Sequence, residues 1–287
     1  MLFKFSRPWF WQFFIRVSIL FLVMMCASPS WAGISQQRIV SLAPSATEWI
    51  VALGLENSLY GVTEQCDFPP RVSGKSKVGA FMRVSVERVL ALKPTDIVAV
   101  DGLPAALKQR FTESGARVHL FHAGNLQSFP QEISRLGQNL GVADRANLLA
   151  ESFRGGLRGL AQKKSKGALR RGLFFVNLNP MFVASSAAWL SELFEFAGVA
   201  NALAPTPHAD LFPRISFEAL AMSKADLWVG FARDAREKEQ INSSFSQLNL
   251  KLSRGNKVKT RIYPADEFQR PGPRLLEAMR QLQGEEF

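Results

Sequence analysis

Two stretches of this chain, 131 positions apart, read the same way. Ser85-Val86-Glu87-Arg88-Val89-Leu90-Ala91 leads to Asp96-Ile97-Val98, and Ser216-Phe217-Glu218-Ala219-Leu220-Ala221 leads to Asp226-Leu227-Trp228-Val229. Each is a Ser-x-Glu helix start, an apolar helix and an Asp that opens a strand, with one residue of slippage between the copies. A solenoid needs at least three repeats. Two copies this far apart imply two similar lobes instead.

Strands and helices alternate around both copies. Residues 38–42 (RIVSL) form a short β-branched run, and the spacing of Ser45 and Glu48 is that of a capping box for a helix over 49–53 that stops at Gly54. A helix over 85–93 is broken at Pro94 and followed by the strand 96–100 (DIVAV). A helix near 104–114 precedes the strand 117–121. This alternation predicts a parallel sheet covered on both faces. Residues 143–162 then read as one helix, with Ala146, Leu149, Ala150, Phe153, Leu157 and Leu160 at helical spacing. Gly155-Gly156 weakens it, by roughly 1 kcal/mol per glycine relative to alanine. A Lys/Gly-rich segment ends it near Gly167. A second α/β half starts with the strand 172–176 and continues with helices near 188–196 and 216–222, strands 226–229 and 260–263, and a last helix over 274–283. The expected architecture is α/β: two lobes with parallel-type sheets, 33–141 and 168–287, joined by a single long backbone helix in 142–167.

Residues 1–32 are set apart from the fold. Lys4, Arg7 and Arg16 stand without an acid before the apolar run 17–27 (VSILFLVMMCA). That run is about eleven residues, whereas a bilayer span needs about 20. Small residues at Ser30 and Ala32 flank Trp31 where a signal peptidase reads, so a secretory signal cleaved after Ala32 is expected. The alternatives are an uncleaved membrane anchor and a lipoprotein attached at Cys26; Met25 stands where the second wants a small residue. The remaining 255 residues carry +8 and one cysteine, Cys66, which excludes an internal disulfide. The composition, 47% apolar and 21% charged, excludes disorder, collagen and coiled coil. The densest basic run, Lys163-Lys164-Ser165-Lys166 with Arg170-Arg171, lacks the interleaved aromatics of a single-strand nucleic-acid platform, so no nucleic-acid partner is expected.

The residues that carry chemistry point away from an enzyme. There is no Gly-x-Ser-x-Gly, P-loop or Gly-x-Gly-x-x-Gly, and Cys66 has no sequence-local histidine base. His119 and His122 lie at a strand end with side chains on opposite faces, unlike the convergent ligands zinc needs; His208 stands alone. No catalytic residue and no metal site are assigned. The loop aromatics Phe81, Phe182, Phe212 and Phe268 each sit just after an expected strand or just before an expected helix, near the carboxyl edge where α/β sheets bind ligands. Core packing is the alternative for each. Glu87 and Glu218 are paired carboxylates at helix starts; the helix dipole accounts for either alone, but not for their recurrence in both lobes.

The motifs RIVSLAPSATEWIVALG, GVTEQCDFPP and KVGAFMRVSVERVLALKPTDIVAV resemble the periplasmic substrate-binding proteins with a helical backbone that serve ABC importers of cobalamin, haem and iron-siderophores. The likeness continues through NLNPMF, ISFEALAMSKADLWV and RPGPRLLEA. Among these proteins the cobalamin binders share the Asp-aromatic-Pro-Pro and Asn-Pro-x-Phe patterns. The resemblance implies a monomer that captures cobalamin, a related corrinoid or another metal chelate between its lobes and delivers it to a dimeric ABC permease in the inner membrane. It places Phe81, Phe182, Phe212, Asp266 and Arg270 at the ligand, with Phe268 in the same loop. Gln65 stands where Tyr is usual and Val100 where Trp is usual. These departures keep haem and ferric siderophores open as ligands. The resemblance also has Glu87 and Glu218 meet arginines of the permease. An exported enzyme is the rival from another class.

Overall fold

The strand and helix runs fold as two sheets that share one core. The computed structural model describes residues 36–162, 170–203, 210–252, 257–283 and Glu285. The expected signal segment 1–32 with Cys26, the 163–166 basic run, the helix end at Gly167 and His208 lie outside the described residues.

In the N-terminal lobe, β1 (Ile39–Ser41), β2 (Leu59–Val62), β3 (Ser76–Lys77), β6 (Asp96–Val100) and β7 (Arg117–Phe121) form a sheet in the order β3-β2-β1-β6-β7, all parallel. A short hairpin, β4 (Gly79–Ala80) and β5 (Arg83–Val84), stands off it. The helices are α1 (Pro44–Ala52), α2 (Val86–Ala91), α3 (Ala105–Glu113) and α4 (Phe129–Asn139), followed by the connecting helix α5 (Ala143–Gln162). In the C-terminal lobe the parallel order is β10 (Val199–Asn201), β8 (Arg170–Leu178), β11 (Leu227–Ala232) and β12 (Lys259–Pro264); β9 (Met181–Val183) folds back antiparallel on β8. Its helices are α6 (Trp189–Glu195), α7 (Phe217–Met222), α8 (Ala235–Leu252), the single turn α9 (Ala265–Phe268) and α10 (Leu275–Leu282).

Strand alternation divides the apolar side chains into layers. Val40, Ile97 and Ala99 face outward onto α2 and α3, while Ile39, Val98 and Phe121 face inward. In the other lobe Leu173, Phe175 and Trp228 face an outer layer, while Phe174, Val229 and Phe231 face inward. Both inward sets belong to the same contiguous core, which α1, α4, α5, α6 and α10 complete. Aromatic rings run through it: Trp49 stacks on Phe121 at 5.5 Å, Phe129 on Phe153 at 5.8 Å, and Phe174 on Phe194 at 4.6 Å. The lobes are therefore joined by packing as well as by a helix.

The repeat is structural. Ser85 caps α2 by accepting from the Arg88 N–H, and Ser216 caps α7 by accepting from the Ala219 N–H, both at 3.2 Å. Beyond each helix a lysine, Lys93 (φ 47°) or Lys224 (φ 51°), takes the left-handed conformation. The following aspartate N–H then returns to the first strand of its lobe: Asp96 to the Arg38 carbonyl and Asp226 to the Arg171 carbonyl.

Two local expectations change. The first helix starts at Pro44 rather than at a capping box: Ala43 is the N-cap with no side-chain bond, Ser45 is buried, and Glu48 turns away from the helix start into an ion-pair cluster. Gly54 does end it, with φ 72° and the Arg145 guanidinium where a Cβ would stand. The second change concerns Gly155-Gly156, through which α5 runs unbroken. A Cβ on Gly156 would come within 2.6 Å of Leu276 Cδ1, so that glycine admits α10 rather than loosening α5.

Candidate ligand cleft between the lobes

The carboxyl ends of both sheets meet at a polar floor built by residues far apart in sequence. Arg270, just past α9, reaches Asp67 of the N-terminal lobe through Nη1 (2.6 Å to Oδ1) and Nη2 (3.2 Å to Oδ2), and Asp266 through Nη2 at 2.5 Å. Its Nη1 lies 3.6 Å from Glu48 Oε1. Arg274 holds the same buried Glu48 bidentately, at 2.7 and 3.0 Å, and stacks over the Phe68 ring at 4.2 Å. Trp49 Nε1 donates to the Pro271 carbonyl at 2.9 Å. The segment after β12 thus crosses from the C-terminal lobe and binds the N-terminal one. Burial raises the Glu48 pKa, more than the two arginines lower it. Arg270 holds Asp67 below the usual carboxylate range. At 12% exposure, Arg270 presents only an edge to the cleft.

Gln65 and Phe81 form a second unit. The Gln65 side-chain carbonyl accepts the Phe81 N–H at 2.7 Å and so fixes the tip of the β4–β5 hairpin. Phe81 is 39% exposed and sits beside Met82, whose φ is 65°. Beneath them lies an apolar recess of about 20 Å³ lined by Leu42, Val84, Val100, Leu103 and Leu107. Val100 and Phe81 therefore line the same recess.

Phe182 and Phe212 come together through backbone pairing. The Val183 N–H bonds the Pro213 carbonyl, Ser185 bonds Leu211, and Ile215 bonds Met181. This register opposes Phe182 to Arg214 and makes Phe212 its diagonal neighbour on the same face, within reach of an aromatic side chain. Val183 and Ile215, on the opposite face, are buried in the outer core. Both phenylalanines are half-buried.

Phe268 departs from the expected site. It is 1% exposed, with its ring centroid 4.8 Å from Tyr263 and 6.2 Å from Phe194. The one-turn helix α9 rotates it inward, opposite to Asp266, so it supports the cleft from within the core.

Glu87 and Glu218 lie elsewhere, exposed on the first turns of α2 and α7. The helix-start backbone N–H and the Ser85 hydroxyl, at 3.0 Å, lower the Glu87 pKa; the Ser216 hydroxyl leads the same effect at Glu218. The two carboxylates are equivalent positions of the repeat.

Sequence spacing marks Glu48 only as a capping-box residue and gives no site role to Asp67, Phe68 or Arg274, though all four fall inside the motifs that carry the resemblance. A further interlobe bond, Trp189 N–H to the Gly124 carbonyl at 3.0 Å, and the Leu126 N–H to the Glu192 carboxylate at 2.7 Å, close the other end of the floor.

A family model of periplasmic binding proteins matches residues 39–247. The vitamin B12-binding protein of Vibrio parahaemolyticus is 27% identical over 261 residues, covering 91% of this chain and 93% of that protein. That of Pectobacterium carotovorum is 28% identical, covering 86% and 87%. Among solved structures, the periplasmic vitamin B12 binding protein BtuF of Vibrio cholerae superposes with a TM-score of 0.71 at 26% identity, covering 86% of this chain and 95% of that one. A periplasmic haem-binding protein from Pseudomonas aeruginosa shares the fold with a TM-score of 0.73 at 24% identity, covering 86% and 91%. With its two α/β lobes on a single connecting helix, the chain belongs to the periplasmic binding protein family.

Proposed function

We propose that this protein captures a cobalamin-type corrinoid between its lobes in the periplasm and hands it to an ABC permease. Proteins of this family bind a small-molecule ligand and work with such permeases. One observation carries the corrinoid reading: relatives named vitamin B12-binding proteins align over some nine-tenths of the chain. Exposed and half-buried aromatics at the two carboxyl edges support it. Phe81 on one lobe and Phe182 with Phe212 on the other offer apolar faces to a large flat ligand, and Asp266 and Arg270 border them. Gln65 serves by holding Phe81. In this reading a signal segment is removed after Ala32, the mature protein is a monomer, and Glu87 and Glu218 meet basic sites of a dimeric permease.

A second reading is haem or a ferric siderophore. It rests on Gln65 and Val100, which stand where the cobalamin pattern has aromatics, and on the shared fold with haem-binding proteins. Isothermal titration of the purified mature protein with cyanocobalamin, haemin and a ferric siderophore separates the readings. Saturable binding of cyanocobalamin alone is expected. Binding of haemin or the siderophore without cyanocobalamin would overturn the corrinoid reading. N-terminal sequencing of protein recovered from the periplasm tests cleavage after Ala32.

A further inference from the structure

At the carboxyl edge of the N-terminal sheet, β6 and β7 are neighbours, with Val100 opposite Phe121. The residues immediately after them are Asp101 and His122. Asp101 Oδ1 accepts from His122 Nδ1 at 2.5 Å. Its other oxygen accepts the Ala123 N–H at 3.0 Å, and the His122 N–H is held by Glu132 Oε2 at 3.0 Å. The carboxylate is thus fixed from two sides, and with Nδ1–H committed to it the neutral imidazole carries its lone pair on Nε2. The side chain is 54% exposed. Two residues on, the Gly124 carbonyl takes the interlobe bond from Trp189. His122 therefore belongs to the loop whose backbone meets the C-terminal lobe. His119 differs: it is buried, and its Nε2 is consumed by Asp96 at 2.8 Å.

A ring oriented by a carboxylate, with its other nitrogen free, is the arrangement of a metal-ligating histidine. Among the described residues no three His, Cys, Asp or Glu side chains form a group that could hold a metal ion. One imidazole suffices only where a chelate supplies the remaining ligands. We propose that His122 Nε2 binds the exchangeable axial position of the metal in a captured chelate, with Asp101 as its positioning residue. The inference rests on the corrinoid reading and deepens it. In the step, a water leaves cobalt(III) as the Nε2 lone pair enters. The oxidation state is unchanged and no proton moves.

Aquocobalamin, whose axial water exchanges, and cyanocobalamin, whose cyanide does not, are the probes. With wild-type protein, aquocobalamin should bind with a shift of its visible absorption bands and about tenfold or more tighter than cyanocobalamin. His122→Ala should abolish the shift and bring the two affinities together, while cyanocobalamin binding, the control for an intact cleft, stays near wild type. Asp101→Asn should weaken aquocobalamin alone, by about tenfold. Bound aquocobalamin with an unshifted spectrum, or a shift that survives His122→Ala, overturns the proposal and leaves the corrinoid reading standing. If neither corrinoid binds, the corrinoid reading falls and this inference falls with it.

Discussion

The two lobes solve one folding problem with the same parts and different energetics. In each, an arginine at the start of the first strand reaches the C-cap carbonyl of the repeat helix. Arg38 Nε donates to the Leu92 carbonyl at 2.8 Å, and Arg171 Nη2 donates to the Ser223 carbonyl at 3.2 Å. Both satisfy carbonyls that a helix C-terminus leaves unpaired. The aspartate that follows uses its N–H identically in the two lobes, but its side chain diverges. Asp96 is 0% exposed and bonds Arg117, His119 and Thr95; Asp226 is exposed and, among the described residues, its side chain meets only the Arg171 N–H. A repeat constrains the backbone role of a residue and leaves its side chain free to become either a buried ion cluster or a surface group.

Replacing both aspartates is the strongest way to break this comparison. Burial alone would raise the Asp96 pKa, but hydrogen bonds from His119, Arg117 and Thr95 outweigh it and hold the carboxyl well below the usual range. A depressed folded pKa contributes stability that is present above the unfolded carboxyl value of about 3.9 and is lost as pH falls through the folded one. Asp96→Asn should therefore cost about 2–3 kcal/mol at neutral pH and flatten the acid limb of the stability curve. Asp226→Asn should stay within about 0.5 kcal/mol. Urea melts of both variants at pH 7 and pH 3 read this directly. Equal losses would mean that the shared backbone role, not the side-chain cluster, sets the stability.

The cleft faces of the lobes are compared by truncating their aromatics. Phe81→Ala, Phe182→Ala and Phe212→Ala should each weaken cyanocobalamin binding by about 1–3 kcal/mol, five- to roughly a hundred-fold. Phe81 is the most exposed of the three, so Phe81→Ala should cost the least folding stability; Phe212, packed on the shared core, should cost the most. Titration calorimetry with parallel thermal melts separates the two effects. Unchanged affinity in all three variants would remove the aromatic cleft. The docking comparison is smaller per residue. Exposed ion pairs contribute about 0–1 kcal/mol each, so Glu87→Arg and Glu218→Arg should each reduce transport modestly. The double variant should cripple it, because the two-fold permease proposed above would offer the same site twice. Ligand affinity should stay near wild type. Normal uptake by the double variant would return both carboxylates to mere helix-start residues.

Much of the architecture is legible in sequence because its signals are local. The strands at 96–100 and 117–121 and the helix at 143–162 stand where β-branched runs and helical spacing put them. Helix α8 carries no such signal, because Phe245 is its only fully buried side chain. Strand β10 is only three residues long, and the buried face of α4 rests on Phe129, Ile133 and Leu136 in a helix that is otherwise largely polar. The cleft is harder. Glu48 satisfies the local rule for a capping box, yet its partner Arg274 is 226 residues away. Phe268 satisfies the rule for a residue after a strand, yet one turn of helix carries it into the core. Long-range ion pairs leave no periodicity, and a one-residue rotation of a loop helix has no compositional mark.

The smallest effect bears on motion. Gly155 and Gly156 are adjacent in the helix that links the lobes, and a hinge there would predict that both matter for closure. The structure separates them. Nothing lies within 4 Å of a Cβ on Gly155, whereas one on Gly156 meets Leu276. Gly155→Ala should therefore stabilise the protein by about 0.5–1 kcal/mol through helix propensity. Gly156→Ala should gain less or lose stability, since Leu276 must move aside. Neither should alter the response to ligand. Both sheets pack into one core, and Trp49, Glu48 and Asp67 are bonded to the 270–274 segment, so closure by tens of degrees would tear apolar contacts and buried ion pairs together. A change of only a few degrees is expected, visible as a nearly constant radius of gyration in small-angle scattering with and without cyanocobalamin. A large ligand-induced decrease that Gly155→Ala suppresses would make the glycine pair a working hinge and the shared core a weaker restraint than its packing implies.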